Sequence, residues 1–266
     1  MKRVTVPEIQ NHDREKPIVM LTAYDAPTAR IVDAAGIDII LVGDSVGTAV
    51  LGYEDTLSVT IEDMIHHVKA VARGASRCLI VGDMPFGSTQ IGGSTARKDA
   101  VALMRAGAHA VKLEGSSRLD LIRELVENGI PVMGHIGLTP QSIHAMGGYK
   151  VQGRTLSDQE LLVKAAQQLE EAGVFSIVIE CVPPKTAKLI TESIRVPTIG
   201  IGAGIDVSGQ VLVLHDILSL TTAFKPKFVA QYCDLTDAIK TAVERFCDDV
   251  RNRRFPGPEH TYKDLI

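Results

Sequence analysis

Eight short apolar runs recur along the chain at the spacing of a strand–helix repeat, and this recurrence restricts the fold more than any other feature. They occupy residues 17–24, 37–44, 78–83, 110–114, 131–135, 176–180, 197–202 and 211–214. The runs are nearly continuous in Val, Ile and Leu rather than alternating with polar residues, the pattern of parallel strands buried on both faces. Four of them end in a carboxylate: Asp44, Asp83, Glu114 and Glu180. Successive members of that set are 39, 31 and 66 residues apart, the last gap being two units. A charge cannot stay inside such a strand unpaired, so these four ends leave the core and meet at one rim of the fold.

The intervals between runs carry helical signals. Glycines at Gly36, Gly107, Gly129 and Gly173 each stand between a helical pattern and the next apolar run, where a left-handed residue ends the helix. Pro131 and Pro197 open their runs, where the missing amide is tolerated. Residues 60–72 show the helical phase most clearly. Thr60 and Asp63 resemble a capping box, and Ile61, Met64, Ile65, Val68 and Val71 form one apolar stripe. His66 and His67 fall off that stripe and read as exposed histidines rather than metal ligands. Eight such units in 266 residues predict an α/β fold of the (β/α)8 barrel type. A doubly wound sheet is the competitor, but the 200–204 glycine run lacks the dinucleotide-binding spacing. No linker-like stretch divides the chain, so residues 1–266 read as one barrel domain with a short N-terminal extension and a C-terminal helical tail.

Composition narrows the function classes. The net charge is −4, which excludes a phosphate backbone as main partner, and the Arg251, Arg253, Arg254 cluster reads as a solvated helix end. Aromatic residues are only 4% of the chain and tryptophan is absent, so the core must be aliphatic. Cys78, Cys181, Cys233 and Cys247 show no paired spacing and fit a reducing compartment, with Cys181 read as a small buried hydrophobe. The first 17 residues are too polar for a signal peptide, and no apolar run reaches membrane-spanning length. The expectation is a cytoplasmic protein with neither a membrane nor a nucleic-acid partner.

The chemistry concentrates at the rim. Lys112 and Glu114 are two apart on one strand and share a face, fit to pair, ligate a metal or hold an acidic substrate. Asp44 with Ser45 reads equally well as a helix cap. Asp83 precedes Met84-Pro85, and Glu180 precedes Cys181-Val182-Pro183-Pro184, two stiff exits. Several carboxylates at one rim repel each other unless a cation joins them, and an oxygen-only donor set points to Mg2+ or a similarly hard ion. His135 ends the fifth run, and Thr22, Tyr24 and Asp25 close the first. The 200–204 glycine run is either an anion site or a tight turn.

The runs LVGDSVG (41–47), GHIGLTPQSIHAMGGYKVQGR (134–154), VIECVP (178–183) and PTIGIGAG (197–204) closely resemble the ketopantoate hydroxymethyltransferase (3-methyl-2-oxobutanoate hydroxymethyltransferase) family. The resemblance extends from TAYDAPTA (22–29) to FPGPEH (255–260). It implies a barrel of the phosphoenolpyruvate-utilising superfamily. It further implies transfer of a hydroxymethyl group from 5,10-methylenetetrahydrofolate to 2-oxoisovalerate, giving 2-dehydropantoate. On this likeness Asp44, Asp83 and Glu114 match the family's Mg2+ positions, one ion per subunit. Asp44, Ser45, Asp83 and Lys112 match its oxo-acid contacts, Glu180 its proton acceptor, and the family precedent is a homo-oligomer, commonly a decamer. The runner-up is another Mg-dependent enzyme of the same superfamily, a lyase or mutase acting beside a 2-oxo acid.

Overall fold

The computed structural model describes residues 2–13, 15–221 and 226–263. Eight parallel strands close into a barrel: β1 (Ile18–Thr22), β2 (Ile39–Val42), β3 (Leu79–Asp83), β4 (Ala110–Glu114), β5 (Val132–Gly137), β6 (Ser176–Glu180), β7 (Thr198–Ile201) and β8 (Gly209–Leu212). Each pairs with its sequence neighbour, and β1 pairs with β8 to complete the ring. The barrel predicted from the apolar repeat is therefore present. The chain divides into two compact units, Met1–Leu214, which holds the barrel, and His215–Ile266.

The strands form where parallel β-structure is cheapest, in aliphatic runs flanked by glycine and proline. β2, β3 and β5 are buried along their whole length. Inward positions alternate along each strand and stack in layers. The lower layers are apolar: Ile18, Met20, Ile39, Leu41, Leu79, Val81, Ala110, Met133, Val178, Ile199 and Val211 belong to one core cluster. Ile9, from the short helix Val6–Gln10, joins the same cluster.

Helices occupy the intervals where the sequence places them: Ala26–Ala34, Ile61–Gly74, Gly93–Ala106, Leu119–Glu127, Leu156–Glu171 and Pro184–Ser193. Thr60 and Asp63 make the expected reciprocal capping box, and Met64, Val68 and Val71 are buried beneath it. Gly36, Gly107, Gly129 and Gly173 all take positive φ. Asp33, near the end of the helix Ala26–Ala34, accepts bonds from the amides of Ser76 (2.9 Å), Arg77 (3.1 Å) and Cys78 (2.7 Å). These bonds fix the entry to β3, and they hold the Asp33 carboxyl below its ordinary range even though burial opposes it.

Two expectations need correction. β2 ends at Val42, so Asp44 lies in the loop beyond the strand rather than at its end. The last strand is Gly209–Leu212, because Leu214 already begins a helical turn and its amide is taken by Thr22 Oγ1 at 3.0 Å. Of the two readings open for the 200–204 run, the tight turn is present, with Gly202 at φ 63° and Gly204 at φ 84°, and a Cβ on Gly204 would stand 2.7 Å from Pro184.

In the second unit, Asp234 caps the helix Leu235–Arg251 by accepting from the Asp237 amide at 3.1 Å. Ile239, Val243, Phe246 and Val250 lie on that helix about half exposed. Among the described residues no helix is long and apolar enough to cross a membrane.

Candidate active site

The inward alternation that fills the barrel floor with aliphatic side chains continues upward into charge. Asp83 follows Leu79 and Val81, Lys112 and Glu114 follow Ala110, His135 follows Met133, and Glu180 follows Val178. Strand register then sets the pairs: Asp83 faces Lys112 across β3–β4, and Glu114 faces His135 across β4–β5.

The pairs are close. Lys112 Nζ lies 2.9 Å from Asp83 Oδ2, with both side chains at 4% exposure or less. The same Nζ lies 3.3 Å from His135 Nδ1, which is 3.4 Å from Glu114 Oε1. His135 Nε2 in turn lies 3.2 Å from Glu180 Oε2, whose side chain is the most open of the group at 16%. Asp44 joins from the β2 loop, its amide donating to Asp83 Oδ2 at 3.3 Å. Ser45 is held at the edge, its Oγ 2.8 Å from the Tyr24 hydroxyl. Asp25, the other polar residue closing β1, is a plain helix cap that accepts from the Thr28 amide at 2.8 Å. The structure thus gathers Asp44, Asp83, Lys112, Glu114 and Glu180 into one chain of contacts, with His135 as its hub.

Electrostatics sharpen the picture. Burial, then the charges of Asp83 and Glu114, push the Asp44 carboxyl well above its usual range. Burial also raises Asp83, against the pull of Lys112. Burial opposes the charge on Lys112, but Asp83, Glu114 and Asp44 outweigh it and raise the ammonium's pKa. Burial and Lys112 act to lower His135, yet Glu114 and Glu180 lift it to about 9, an imidazolium at neutral pH. Burial acts to raise Glu114, but His135 and then Lys112 hold it below its ordinary value.

One carboxylate oxygen in this cluster, Asp83 Oδ1, is buried with no hydrogen-bond partner among the described residues, and Glu114 Oε1 has only the His135 ring at 3.4 Å, out of line for a hydrogen bond. A buried anionic oxygen without a donor is costly, and a cation is the simplest partner for it. Among the described residues no three His, Cys, Asp or Glu side chains are arranged to hold a metal by themselves. A hard ion such as Mg2+ takes a few carboxylate oxygens and completes its shell with substrate and water. The donor set therefore fits such an ion.

A family model described as ketopantoate hydroxymethyltransferase matches residues 3–258. The chain belongs to the ketopantoate hydroxymethyltransferase family. Among its relatives, the 3-methyl-2-oxobutanoate hydroxymethyltransferase of Ignicoccus hospitalis is 54% identical, over 97% of this chain and 98% of the relative. That of Syntrophobacter fumaroxidans is 52% identical, over 98% and 93%. Membership of the ketopantoate hydroxymethyltransferase family makes the chain an enzyme. Similar solved structures include phosphonopyruvate hydrolase in complex with oxalate and Mg2+ (TM-score 0.63, 14% identity, 98% of this chain and 93% of that chain). Another is 2,3-dimethylmalate lyase, of the PEP mutase/isocitrate lyase superfamily (TM-score 0.60, 15% identity, 98% and 90%). At that identity they share the barrel of ketopantoate hydroxymethyltransferase and nothing finer.

One residue of the cluster is not marked by the sequence. Gln141 reaches Asp44 Oδ2 with its side-chain amide at 2.8 Å and Glu114 Oε2 with its backbone N–H at 3.0 Å. It is uncharged and in a loop, so only its place in the 134–154 block could have drawn attention to it. His67 is partly buried rather than exposed, its Nδ1–H donating to the Tyr24 carbonyl at 2.7 Å. Cys181 is likewise half-buried, with φ 49°, and burial followed by Glu180 pushes its thiol up to about 11, which disfavours the thiolate form.

Proposed function

We propose that this chain transfers a hydroxymethyl group from 5,10-methylenetetrahydrofolate to 3-methyl-2-oxobutanoate, giving 2-dehydropantoate, with Mg2+ held at the barrel mouth. The observation that carries this reading is the donorless buried oxygen Asp83 Oδ1, among the clustered carboxylates and beside the fixed ammonium of Lys112. Asp83 and Glu114, with Asp44 from the loop, would hold the ion. Bound there, Mg2+ supplies Lewis-acid stabilisation of the negative charge that develops on the 2-oxo oxygen.

The chain's own residues account for the rest. Asp44, Ser45, Asp83 and Lys112 surround the place for the oxo acid, and Lys112 supplies a fixed positive charge for its anionic form. Glu180 takes the proton from the carbon beside the ketone. It is suited to this as the most exposed carboxylate of the cluster, anchored on one side by His135 at 3.2 Å. That carbon then bonds to the methylene carbon of the folate, tetrahydrofolate departs, and water supplies the hydroxyl. The apolar floor beneath His135 keeps bulk water from the barrel axis.

The test is turnover by the purified chain. Incubation with 3-methyl-2-oxobutanoate, methylenetetrahydrofolate and Mg2+ should yield dehydropantoate; turnover of a lyase substrate instead would overturn the assignment. Glu180→Gln should lose about 10²- to 10⁴-fold in kcat while still binding the oxo acid in a Mg2+-dependent way. Wild-type turnover in that variant would remove Glu180 from its role.

A further inference from the structure

Each ligand carboxylate proposed above has two oxygens, and something must settle which of them faces a cation. Gln141 stands where that selection is made. It lies in the 3-10 turn Pro140–Ser142 that follows β5, and it is 7% exposed. Its Nε2 donates to Asp44 Oδ2 at 2.8 Å and to the Met84 carbonyl at 2.9 Å. Its backbone N–H donates to Glu114 Oε2 at 3.0 Å. One residue thus ties together the exits of β2, β3 and β4.

The bonds divide the carboxylate oxygens. Glu114 Oε2 is taken by Gln141, while Glu114 Oε1 faces only the His135 ring, at 3.4 Å and out of line for a hydrogen bond. Asp83 Oδ2 is taken by Lys112 and the Asp44 amide, while Asp83 Oδ1 is left without one. Asp44 Oδ2 is taken by the Gln141 amide. Since both amide protons of Gln141 are spent, on Asp44 and on Met84, its Oε1 is turned away from the carboxylates, which an acceptor there would repel.

We infer that Gln141 is a positioning residue for the cation site, turning Asp44 and Glu114 so that one oxygen of each stays available. This rests on the Mg2+ reading above and goes beyond it by assigning a residue outside the ligand set. Outer partners that orient ligating carboxylates are worth about 10- to 100-fold in metal affinity.

The experiment is calorimetric titration of the purified chain with Mg2+, alone and with 3-methyl-2-oxobutanoate, alongside thermal melting. Gln141→Met keeps the unbranched length and removes both side-chain donors, while the backbone bond to Glu114 survives. It should bind Mg2+ about 10- to 100-fold more weakly than the wild type. Gln141→Glu keeps the amide's shape and replaces its donor with an acceptor, so its loss should be equal or larger. It carries the comparison if the Met variant does not fold. Wild-type Mg2+ affinity in either variant overturns the inference, and a lowered melting temperature with unchanged affinity assigns Gln141 to the fold alone. Absence of Mg2+ binding by the wild type sinks the metal reading itself, whereas equal binding by wild type and variant sinks only the role of Gln141.

Discussion

Gly137→Ala is the perturbation that most directly couples the fold to the proposed base. Gly137 is the last residue of β5 and pairs with Glu180 across β5–β6. Its φ is +93°, and a Cβ built there would stand 2.2 Å from the Glu180 carbonyl oxygen and 2.7 Å from Val182 Cγ2. The left-handed conformation costs an alanine about 1–2 kcal/mol. The contact with a backbone oxygen cannot be relieved by a rotamer change, so overpacking adds about 1–3 kcal/mol. Together these give roughly 2–5 kcal/mol, or a melting temperature lowered by roughly 4–20 °C for a barrel of this size. The oxygen that must move belongs to Glu180 and accepts from the Leu138 amide at 2.8 Å, so the carboxylate moves with it. A displacement on the order of 1 Å costs about 10²-fold in rate; kcat should fall about 10- to 100-fold with the KM for the oxo acid nearly unchanged. Gly36→Ala is the control, because Gly36 has φ +94° and nothing within 4 Å of its Cβ position. It should show only the conformational cost and keep full turnover. If Gly137→Ala melts and turns over as Gly36→Ala does, the claim that this close approach aims Glu180 is refuted.

Asp33→Asn should destabilise the chain by about 2–4 kcal/mol, since one amide oxygen cannot serve the three backbone donors of Ser76, Arg77 and Cys78. The Asp33 carboxyl titrates lower in the folded chain than at its unfolded value of about 3.9, so its contribution is complete above that value and lost as pH falls below it. Denaturant melts of the two proteins should therefore differ by a constant amount above about pH 5 and converge in acid; a gap that widens in acid would contradict the assignment. Tyr24→Phe removes the hydroxyl held 2.8 Å from Ser45 Oγ, and about 1 kcal/mol of lost positioning should raise the KM for the oxo acid roughly fivefold at nearly constant kcat. An unchanged KM in steady-state assays would show that Ser45 needs no such support.

What could be read from the sequence and what could not follow one physical division. Asp83, Glu114 and Glu180 were legible because each ends an aliphatic run, and burial makes a charge conspicuous without any knowledge of its partners. Lys112 followed from them by strand periodicity, and the register of β3 against β4 then turned a shared face into a 2.9 Å ion pair. His135 was visible only as a polar strand end. Its place as hub required β4, β5 and β6 to close around it, since its partners sit on two neighbouring strands. Gln141 was not legible, because a neutral amide in a loop costs little wherever it lies until the fold closes over it. Its side-chain partners are 97 and 57 residues away, so nothing local distinguishes it from a solvated glutamine. Buried charge leaves a local signature in the chain because its cost is local. A buried amide leaves none, because its satisfaction is wholly tertiary, and residues that orient a site from behind are for that reason found in the structure rather than in the sequence.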